Sequence, residues 1–239
     1  MTLLARKKLK YSEVRTLLTL FIQNKSPTQA YNILRNFYND TLNKNTIYNY
    51  FKLFGEIAFS YYKSKLHSTI LTGEIEVDET VVFKAKKTRA RRYRRYQLQS
   101  MWLLGMIERK SKEFIIIPIN SRNEFCLIMK MLKFIDCNST IYTDCYSVYV
   151  NNRKFPKESR LVSYGYNNHW IDHSIEFVSS EFQHIHTNTI ERLWRTIKTD
   201  LREKKITLGY FKAIGRLYFH KTLIREEQLK FICNKIHNT

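Results

Sequence analysis

Three acidic residues of this 239-residue chain stand where carboxylates can converge. Asp78 lies within a predicted strand, Asp144 ends a predicted strand, and Glu191 falls in the first turn of a predicted helix. Ligands of α/β proteins bind at such strand ends and helix starts. Clustered carboxylates can hold two Mg2+ or Mn2+ ions, which act on the attacking and leaving oxygens of a phosphodiester. Taken alone, the same pattern also fits helix caps and salt-bridge partners.

The elements that must position these acids follow from the apolar periodicity. From residue 74 the period is two, so that Glu74, Glu76 and Asp78 share one strand face. Two more strands follow over 101–107 and 113–119, then a helix over 121–135, a fourth strand over 139–144, a polar irregular region to about 186, and helices from 187 to 236. The helix over 121–135 has an apolar stripe of Phe125, Ile128, Met129, Leu132 and Ile135. This order predicts an α/β fold with a mixed sheet.

The helix that begins near Thr187 is predicted to have two different faces. Its apolar stripe, which should pack on the sheet, is Ile190, Leu193, Trp194, Ile197 and Leu201. Glu191, Arg195 and Lys198 follow the same spacing on the adjoining face. A carboxylate that binds a metal ion, followed by cations along one helix, could bind a scissile phosphate and the phosphates next to it. An ordinary surface pair between Glu191 and Arg195 is the simpler alternative.

The first seventy residues are predicted to form three helices. The first has an apolar stripe of Val14, Leu17, Leu18, Phe21 and Ile22, and the third of Ile47, Tyr50, Phe51, Phe54, Ile57 and Ala58. Between them, Ser26-Pro27-Thr28-Gln29 has the residues of a capping box. Residues 1–66 contain 11 basic and 3 acidic residues, a net charge of +8. The segment therefore fits a helix-turn-helix for DNA, and equally a helical bundle that packs on its neighbour.

The charge of the whole chain indicates a polyanionic partner. Lysine and arginine number 41 against 21 acids, which gives a net charge of +20, and nucleic acid is the commonest polyanion. A membrane is not expected as a partner, since the sequence has no long apolar stretch, no anchored basic amphipathic helix and no recognisable secretion signal. The four cysteines form no C-x-x-C pair, which argues against a zinc site.

One basic segment joins the strand of Asp78 to the next strand. Eight of the twelve residues from Lys84 to Arg95 are basic, with Arg91, Arg92, Arg94 and Arg95 at its end and two tyrosines interleaved. Arginine binds phosphate through two parallel donors, and tyrosine stacks on unpaired bases. DNA contact close to the catalytic face is expected from the attachment point. A solvated loop or a nuclear import signal is the alternative.

Five short motifs occur in an order that is typical of one family. They are Val77-Asp78-Glu79, residues 102–109 (WLLGMIER), residues 139–146 (STIYTDCY), residues 172–178 (DHSIEFV) and residues 186–198 (HTNTIERLWRTIK). Over roughly residues 72–235 they resemble the Merlin superfamily of DDE transposases and its bacterial ISXO-like insertion-sequence relatives. The last motif is the most specific of the five.

The resemblance implies a ribonuclease-H-like catalytic domain over residues 71–239, after a helical DNA-binding region over 1–70. It implies Asp78, Asp144 and Glu191 as the catalytic and metal-binding acids, with two Mg2+ or Mn2+ ions. Such enzymes hydrolyse a DNA strand at the element end and then join the freed 3′-hydroxyl to target DNA. The partners would be terminal-repeat and target DNA and further copies of the chain, in the nucleus of a eukaryote or the nucleoid of a bacterium.

Two alternatives to a transposase and several competing residues stay open. The protein could be a domesticated DNA-binding protein that no longer transposes, or a nuclease of the same fold that cleaves without joining. Asp172, Glu176 and Glu181 compete with Glu191 for the place of the third acid. His173 and His186 occupy motif positions and His184 lies between them, but their roles cannot be read from the sequence, and a zinc site is not expected.

Overall fold

The computed structural model describes residues 9–38, 43–87, 96–152, 158–171, 185–203 and 210–237. Its α-helices are α1 (Tyr11–Ile22), α2 (Pro27–Tyr38), α3 (Lys44–Leu66), α4 (Glu124–Phe134), α5 (Asn188–Glu203), α6 (Tyr210–Thr222) and α7 (Arg225–His237). Its strands are β1 (Glu74–Lys87), β2 (Tyr96–Glu108), β3 (Phe114–Ile119), β4 (Thr140–Asp144), β5 (Val150–Asn152), β6 (Glu158–Ser159) and β7 (Asn167–Ile171), with a short 3-10 helix at Arg160–Tyr164.

The chain divides into two compact units, Met1–His67 with Asp200–Thr239, and Ser68–Thr199. The predicted boundary at residue 70 lies close to the first division, but residues 200–239, predicted to join the catalytic domain, group with the N-terminal helices instead. Aromatic packing explains this: the ring centroids of Tyr61 and Phe219 are 5.6 Å apart, and those of Tyr62 and Tyr218 are 5.0 Å apart. Apolar periodicity predicts that a helix has a buried face, but not which element covers that face.

The N-terminal helices follow their predicted patterns. All five predicted stripe residues of α1 are buried, and so are Ile47, Tyr50, Phe51, Phe54 and Ala58 of α3. The capping box of α2 is confirmed: the Ser26 amide donates to Oε1 of Gln29 at 2.8 Å, and the Gln29 amide donates to Oγ of Ser26 at 3.2 Å. Side-chain capping satisfies amides that have no partner within the helix.

The second unit is built on a mixed five-stranded sheet in the order β3-β2-β1-β4-β7. The strands β1, β2 and β3 are antiparallel neighbours, whereas β4 runs parallel to both β1 and β7. The sheet and its helices form the α/β architecture with a mixed sheet that is expected from the sequence. Strand β7 lies in the region predicted to be irregular, because the polar segment Asn167–Ile171 becomes a strand by pairing with β4.

The apolar stripe predicted for α4 is partly wrong. Phe125, Met129 and Leu132 are exposed, and Phe125 is 76% accessible. The buried face consists of Leu127, Ile128, Met131 and Phe134. The helix is apolar around most of its circumference, so that two stripes of helical spacing overlap in the sequence and periodicity alone does not choose between them.

Within the described residues, the helices are all too short or too polar to span a bilayer.

Candidate functional site

Asp78 and Asp144 lie on neighbouring parallel strands. The pairing of β1 with β4 runs from Glu74 opposite Thr140 to Glu76 opposite Tyr142, so each acid lies two residues beyond the last paired position, and Asp144 is close enough to act electrostatically on Asp78. Burial raises the pKa of Asp78 to about 7, and the neighbouring charges of Glu79 and Asp144 add to the shift. The site therefore holds two mutually repelling carboxylates.

Helix α5 covers the strand face that carries Asp78. The indole Nε1–H of Trp194 donates to Oδ2 of Asp78 at 2.9 Å, and Trp194 is buried. The ring lies against Gly105, the partner of Asp78 on β2. A Cβ at Gly105 would lie within 2.7 Å of Cη2 of Trp194 and 3.2 Å of Cδ1 of Ile190. The absence of a side chain at Gly105 is what lets α5 approach the sheet this closely.

The first turn of α5 is bonded to a second acid on the same face of β1. The main-chain amide of Ile190 donates to Oε2 of Glu76 at 2.8 Å, and Nε of Arg109 donates to Oε1 at 2.9 Å. Nδ1 of His186 lies 3.4 Å from the same Oε1. Glu76 is fully buried, so these neighbours take the place of water around its carboxylate.

Glu79 forms a second buried network, on the opposite face of β1. The Tyr149 hydroxyl donates to its Oε1, and Nε and Nη2 of Arg122 donate to its Oε2 at 3.1 and 2.8 Å. Burial nevertheless raises the pKa of Glu79, against the lowering effect of Tyr149 and Arg122. The Arg122 guanidinium lies 4.4 Å from the Trp102 ring centroid and 4.2 Å from that of Tyr146.

The segment after β4 is fixed by the same cluster. The Tyr146 amide donates to Oδ1 of Asp144 at 3.1 Å, and the Tyr146 hydroxyl donates to the main-chain oxygen of Arg122 at 3.2 Å. The orientation of the Asp144 carboxylate is therefore linked to Arg122 and, through Arg122, to Glu79.

Glu191 is in the first turn of α5, as predicted, and partly exposed. Its Oε1 accepts a hydrogen bond of 3.2 Å from Oγ1 of Thr187. Within the described ranges, no three His, Cys, Asp or Glu side chains are close enough together to bind one metal ion. The structure thus brings Asp78 and Asp144 together, while Glu191 lies one helical turn before Trp194 and outside a three-residue cluster.

The two cations predicted beside Glu191 lie on the same helix, with Arg195 exposed and Lys198 partly exposed. Four of the predicted stripe residues of α5 are confirmed as buried: Ile190, Leu193, Trp194 and Ile197. Leu201 belongs to the helix, but its side chain is outside the described part.

The described part of the basic segment is the end of strand β1. This strand continues for nine residues beyond Asp78 to Lys87, paired with β2 throughout. At about 3.3 Å per residue, Lys87 lies roughly 30 Å from Asp78 along the strand. Arg91, Arg92, Arg94 and Arg95 themselves lie outside the described residues, as do Asp172, His173, Glu176, Glu181 and His184.

Sequence reasoning did not assign roles to four residues of the site: Glu76, Arg109, Trp194 and Arg122. The apolar stripe predicts Trp194 only as a core residue, and the strand pattern gives Glu76 only as a neighbour of Asp78 on the same face. Arg109 and Trp194 do lie inside the motifs that suggested the family, so the motifs were a usable signal. Arg122 had no such signal, because only the folded chain brings it to Glu79.

The residues present suit a divalent metal ion. Mg2+ and Mn2+ prefer carboxylate oxygens. A bound cation would also offset the repulsion between two neighbouring carboxylates, one of which has a raised pKa. Asp78 and Asp144 would hold such an ion. The Glu191 carboxylate accepts a hydrogen bond from Thr187, one turn back along the chain.

Comparison with known proteins gives one family match. The ISXO2-like transposase domain matches residues 70–221, which is more than half of the chain. No curated protein matches the sequence.

Solved structures with some likeness are remote. The HTLV-2 integrase catalytic core domain in complex with magnesium has 13% identity and a TM-score of 0.36, over 63% of this chain and 84% of that chain. The BIV integrase catalytic core domain has 11% identity and a TM-score of 0.38, over 70% and 98%. A pre-cleavage Mos1 transpososome has 10% identity and a TM-score of 0.28, over 95% and 80%. Likenesses at this level do not bear on function.

Proposed function

Because the chain belongs to the family of ISXO2-like transposase domains, we propose that it is a DDE transposase that cuts and joins DNA at the ends of a mobile element. Asp78, Asp144 and Glu191 are the three proposed acids. In the first step water attacks a phosphodiester, leaving a 3′-hydroxyl and a 5′-phosphate. In the second step that 3′-hydroxyl attacks a target phosphodiester and releases a target 3′-hydroxyl.

The observation that carries the proposal is the Asp78–Asp144 pair. Asp78 is largely buried beside a second carboxylate and has a pKa of about 7, so its surroundings disfavour its charged form. Such groups cluster at functional sites. A protein that only bound DNA would have no use for this repulsion, which therefore favours an enzyme over a domesticated DNA-binding protein.

Each residue has a distinct proposed role. Asp78 and Asp144 hold the divalent ions, and Trp194 orients Asp78 through its hydrogen bond. Glu191 completes the set when its side chain turns away from Thr187. Bound Mg2+ or Mn2+, two ions in this proposal, would stabilise negative charge on the attacking and leaving oxygens. Arg195 and Lys198, further along the exposed side of α5, contact the phosphates on either side of the cut.

DNA recognition is assigned to two other regions. In the first unit, Asn45, Tyr48, Asn49 and Lys52 form an exposed row along the first half of α3. Asparagine can bond adenine through two atoms, and recognition helices read bases with their first turns. Arg91, Arg92, Arg94 and Arg95 are proposed to bind phosphates without regard to sequence. Several copies of the chain would assemble on the two element ends.

The test is an incubation of the full chain with Mg2+ and a plasmid that carries the DNA flanking its coding sequence on both sides. A transposase yields nicks at defined positions with 3′-hydroxyl ends, and then joined products. Nicks without joining would indicate a nuclease, and binding without nicks in Mg2+ or Mn2+ would indicate a DNA-binding protein.

A further inference from the structure

Glu76 ties the start of α5 to the sheet. Its fully buried carboxylate lies two residues from Asp78 on the same face of β1. Burying a carboxylate is costly unless its oxygens are bonded. The Ile190 amide donates to this carboxylate at 2.8 Å and Arg109 Nε at 2.9 Å, and Nδ1 of His186 lies 3.4 Å away as a third neighbour. Two of the three belong to the chain that forms or immediately precedes the first turn of α5.

Arg109 is held by the sheet at several points. Its main-chain amide donates to the main-chain oxygen of Glu74 at 2.9 Å, and its guanidinium lies 3.5 Å from the ring centroid of Tyr142. Nη2 of Arg109 also donates to the main-chain oxygen of His186. Arg109 therefore connects the sheet directly to the residues just before α5.

Two hydrogen bonds fix α5 against a single strand. The Ile190 amide bonds Glu76, and one turn later the Trp194 indole bonds Asp78. Two contacts a turn apart set both the position of a helix along its axis and its rotation about that axis. Glu191 lies between them in sequence, so these contacts set the direction in which its side chain leaves the helix.

We propose that Glu76 and Arg109 are positioning residues for Glu191. By holding the first turn of α5, they place the Glu191 carboxylate within reach of the cation that Asp78 and Asp144 hold. The pair thus controls divalent-cation affinity as well as stability. This inference rests on the proposed function, because it takes Glu191 to be the third acid.

The first measurement is Mn2+ binding to the full-length protein by calorimetry. Glu76→Gln keeps the side-chain volume but removes the charge that bonds both Ile190 and Arg109. This variant should bind Mn2+ at least fivefold more weakly than wild type, measured well below the melting temperature of the variant. Glu124→Gln is the matched control, since it breaks another Glu–Arg pair of the same unit, Arg160–Glu124 at 2.6 Å. Its Mn2+ affinity should stay within twofold of wild type.

A double-mutant cycle tests whether Glu76 acts through Glu191. In a Glu191→Gln background, Glu76→Gln should cause no further loss of Mn2+ affinity. An equal loss in both backgrounds would contradict the positioning role. Hydrogen exchange of the Ile190 amide gives a readout without metal, and it should be at least tenfold faster in Glu76→Gln. Unchanged exchange would contradict the tie between Glu76 and α5.

A variant with both charges removed covers the case in which Glu76→Gln does not fold. Glu76→Gln with Arg109→Gln leaves no uncompensated buried charge, and it should fold and still bind Mn2+ at least fivefold more weakly. Wild-type affinity in that variant would overturn the inference. If Glu191→Gln instead binds Mn2+ like wild type, the third acid of the proposed function is wrong. If only Glu191→Gln loses affinity, the proposed function stands and the positioning role falls.

Discussion

Trp194 donates a hydrogen bond of 2.9 Å to Asp78. Trp194 belongs to the buried face of α5, and Asp78 is a candidate metal ligand, so a core residue contacts the site directly. The bond requires that α5 lie almost on the backbone of β2, and Gly105 provides the space. The site thus depends on a packing contact as much as on its acids.

Removing the indole donor should raise the pKa of Asp78 above its value of about 7, since the Trp194 bond lowers it. Trp194→Phe keeps an aromatic ring over Gly105 and should cost about 1–2 kcal/mol of stability where Asp78 is charged. The midpoint of pH-dependent Mn2+ binding should move to higher pH. Trp102→Phe, on the opposite face of the sheet, is the control and should leave that midpoint unchanged. A shift of equal size in both variants would contradict a specific role of the indole.

The raised pKa of Asp78 has a defined effect on stability without metal. The carboxyl binds its proton more tightly in the folded than in the unfolded chain, so its contribution to stability falls as pH rises from about 4 to about 7. Asp78→Asn should therefore be more stable than wild type at pH 8, by up to about 2–4 kcal/mol. Thermal melts in a chelator should show this difference vanish near pH 4. A variant less stable than wild type at pH 8 would contradict the shift.

A side chain at position 105 should displace Trp194. Gly105→Ala puts a methyl group into the indole ring, which should cost about 1–3 kcal/mol and weaken Mn2+ binding. Gly55→Ala is the matched control, because Gly55 lies in α3 and an added Cβ would meet no atom of the described residues within 4 Å apart from the nearby backbone of its own helix. That change should stabilise the protein by about 0.5–1 kcal/mol. Melting temperatures of the two variants check the sign of each effect.

The sequence predicts most of the elements here and fewer of the contacts between them. The strands of Asp78 and Asp144 and the helix of Glu191 have strong local patterns, so their types and approximate bounds are confirmed. Strand β7 was not predicted, because only its pairing with β4 makes its polar residues a strand. The partners of Glu76 lie 33 and 114 positions away in sequence, and no local pattern carries such information. The family motifs contained those partners without giving their roles.

The two proposed DNA-binding regions should respond differently to substitution. In the full chain, Asn45→Ala with Asn49→Ala should reduce binding to element-end DNA while leaving binding to random DNA within about twofold, since base contacts carry specificity. Neutralising Arg91, Arg92, Arg94 and Arg95 should weaken binding to both DNAs and flatten the salt dependence. Titrations at several salt concentrations separate the two patterns. If the asparagine changes reduce the affinity for both DNAs equally, α3 is not the recognition helix.

The variant Glu191→Gln distinguishes two roles for Glu191, a catalytic acid or a surface partner of Arg195. A metal ligand predicts loss of cleavage with folding and DNA binding retained, whereas a surface pair predicts near-normal activity and a stability loss of about 0.5 kcal/mol or less. Cleavage rates at saturating Mg2+ make the comparison, and Glu181→Gln is expected to be nearly silent. Strong cleavage by Glu191→Gln, or loss in Glu181→Gln, would move the third acid elsewhere.

Mg2+-dependent nicking by Asp144→Asn tests the central claim most directly. The substitution keeps the side-chain volume and removes one of two neighbouring charges, so the protein without metal should melt at the wild-type temperature or slightly above it. We expect nicking at element ends to fall to background, with DNA affinity retained. Undiminished nicking by folded Asp144→Asn would contradict the acidic site and, with it, the proposed DDE mechanism.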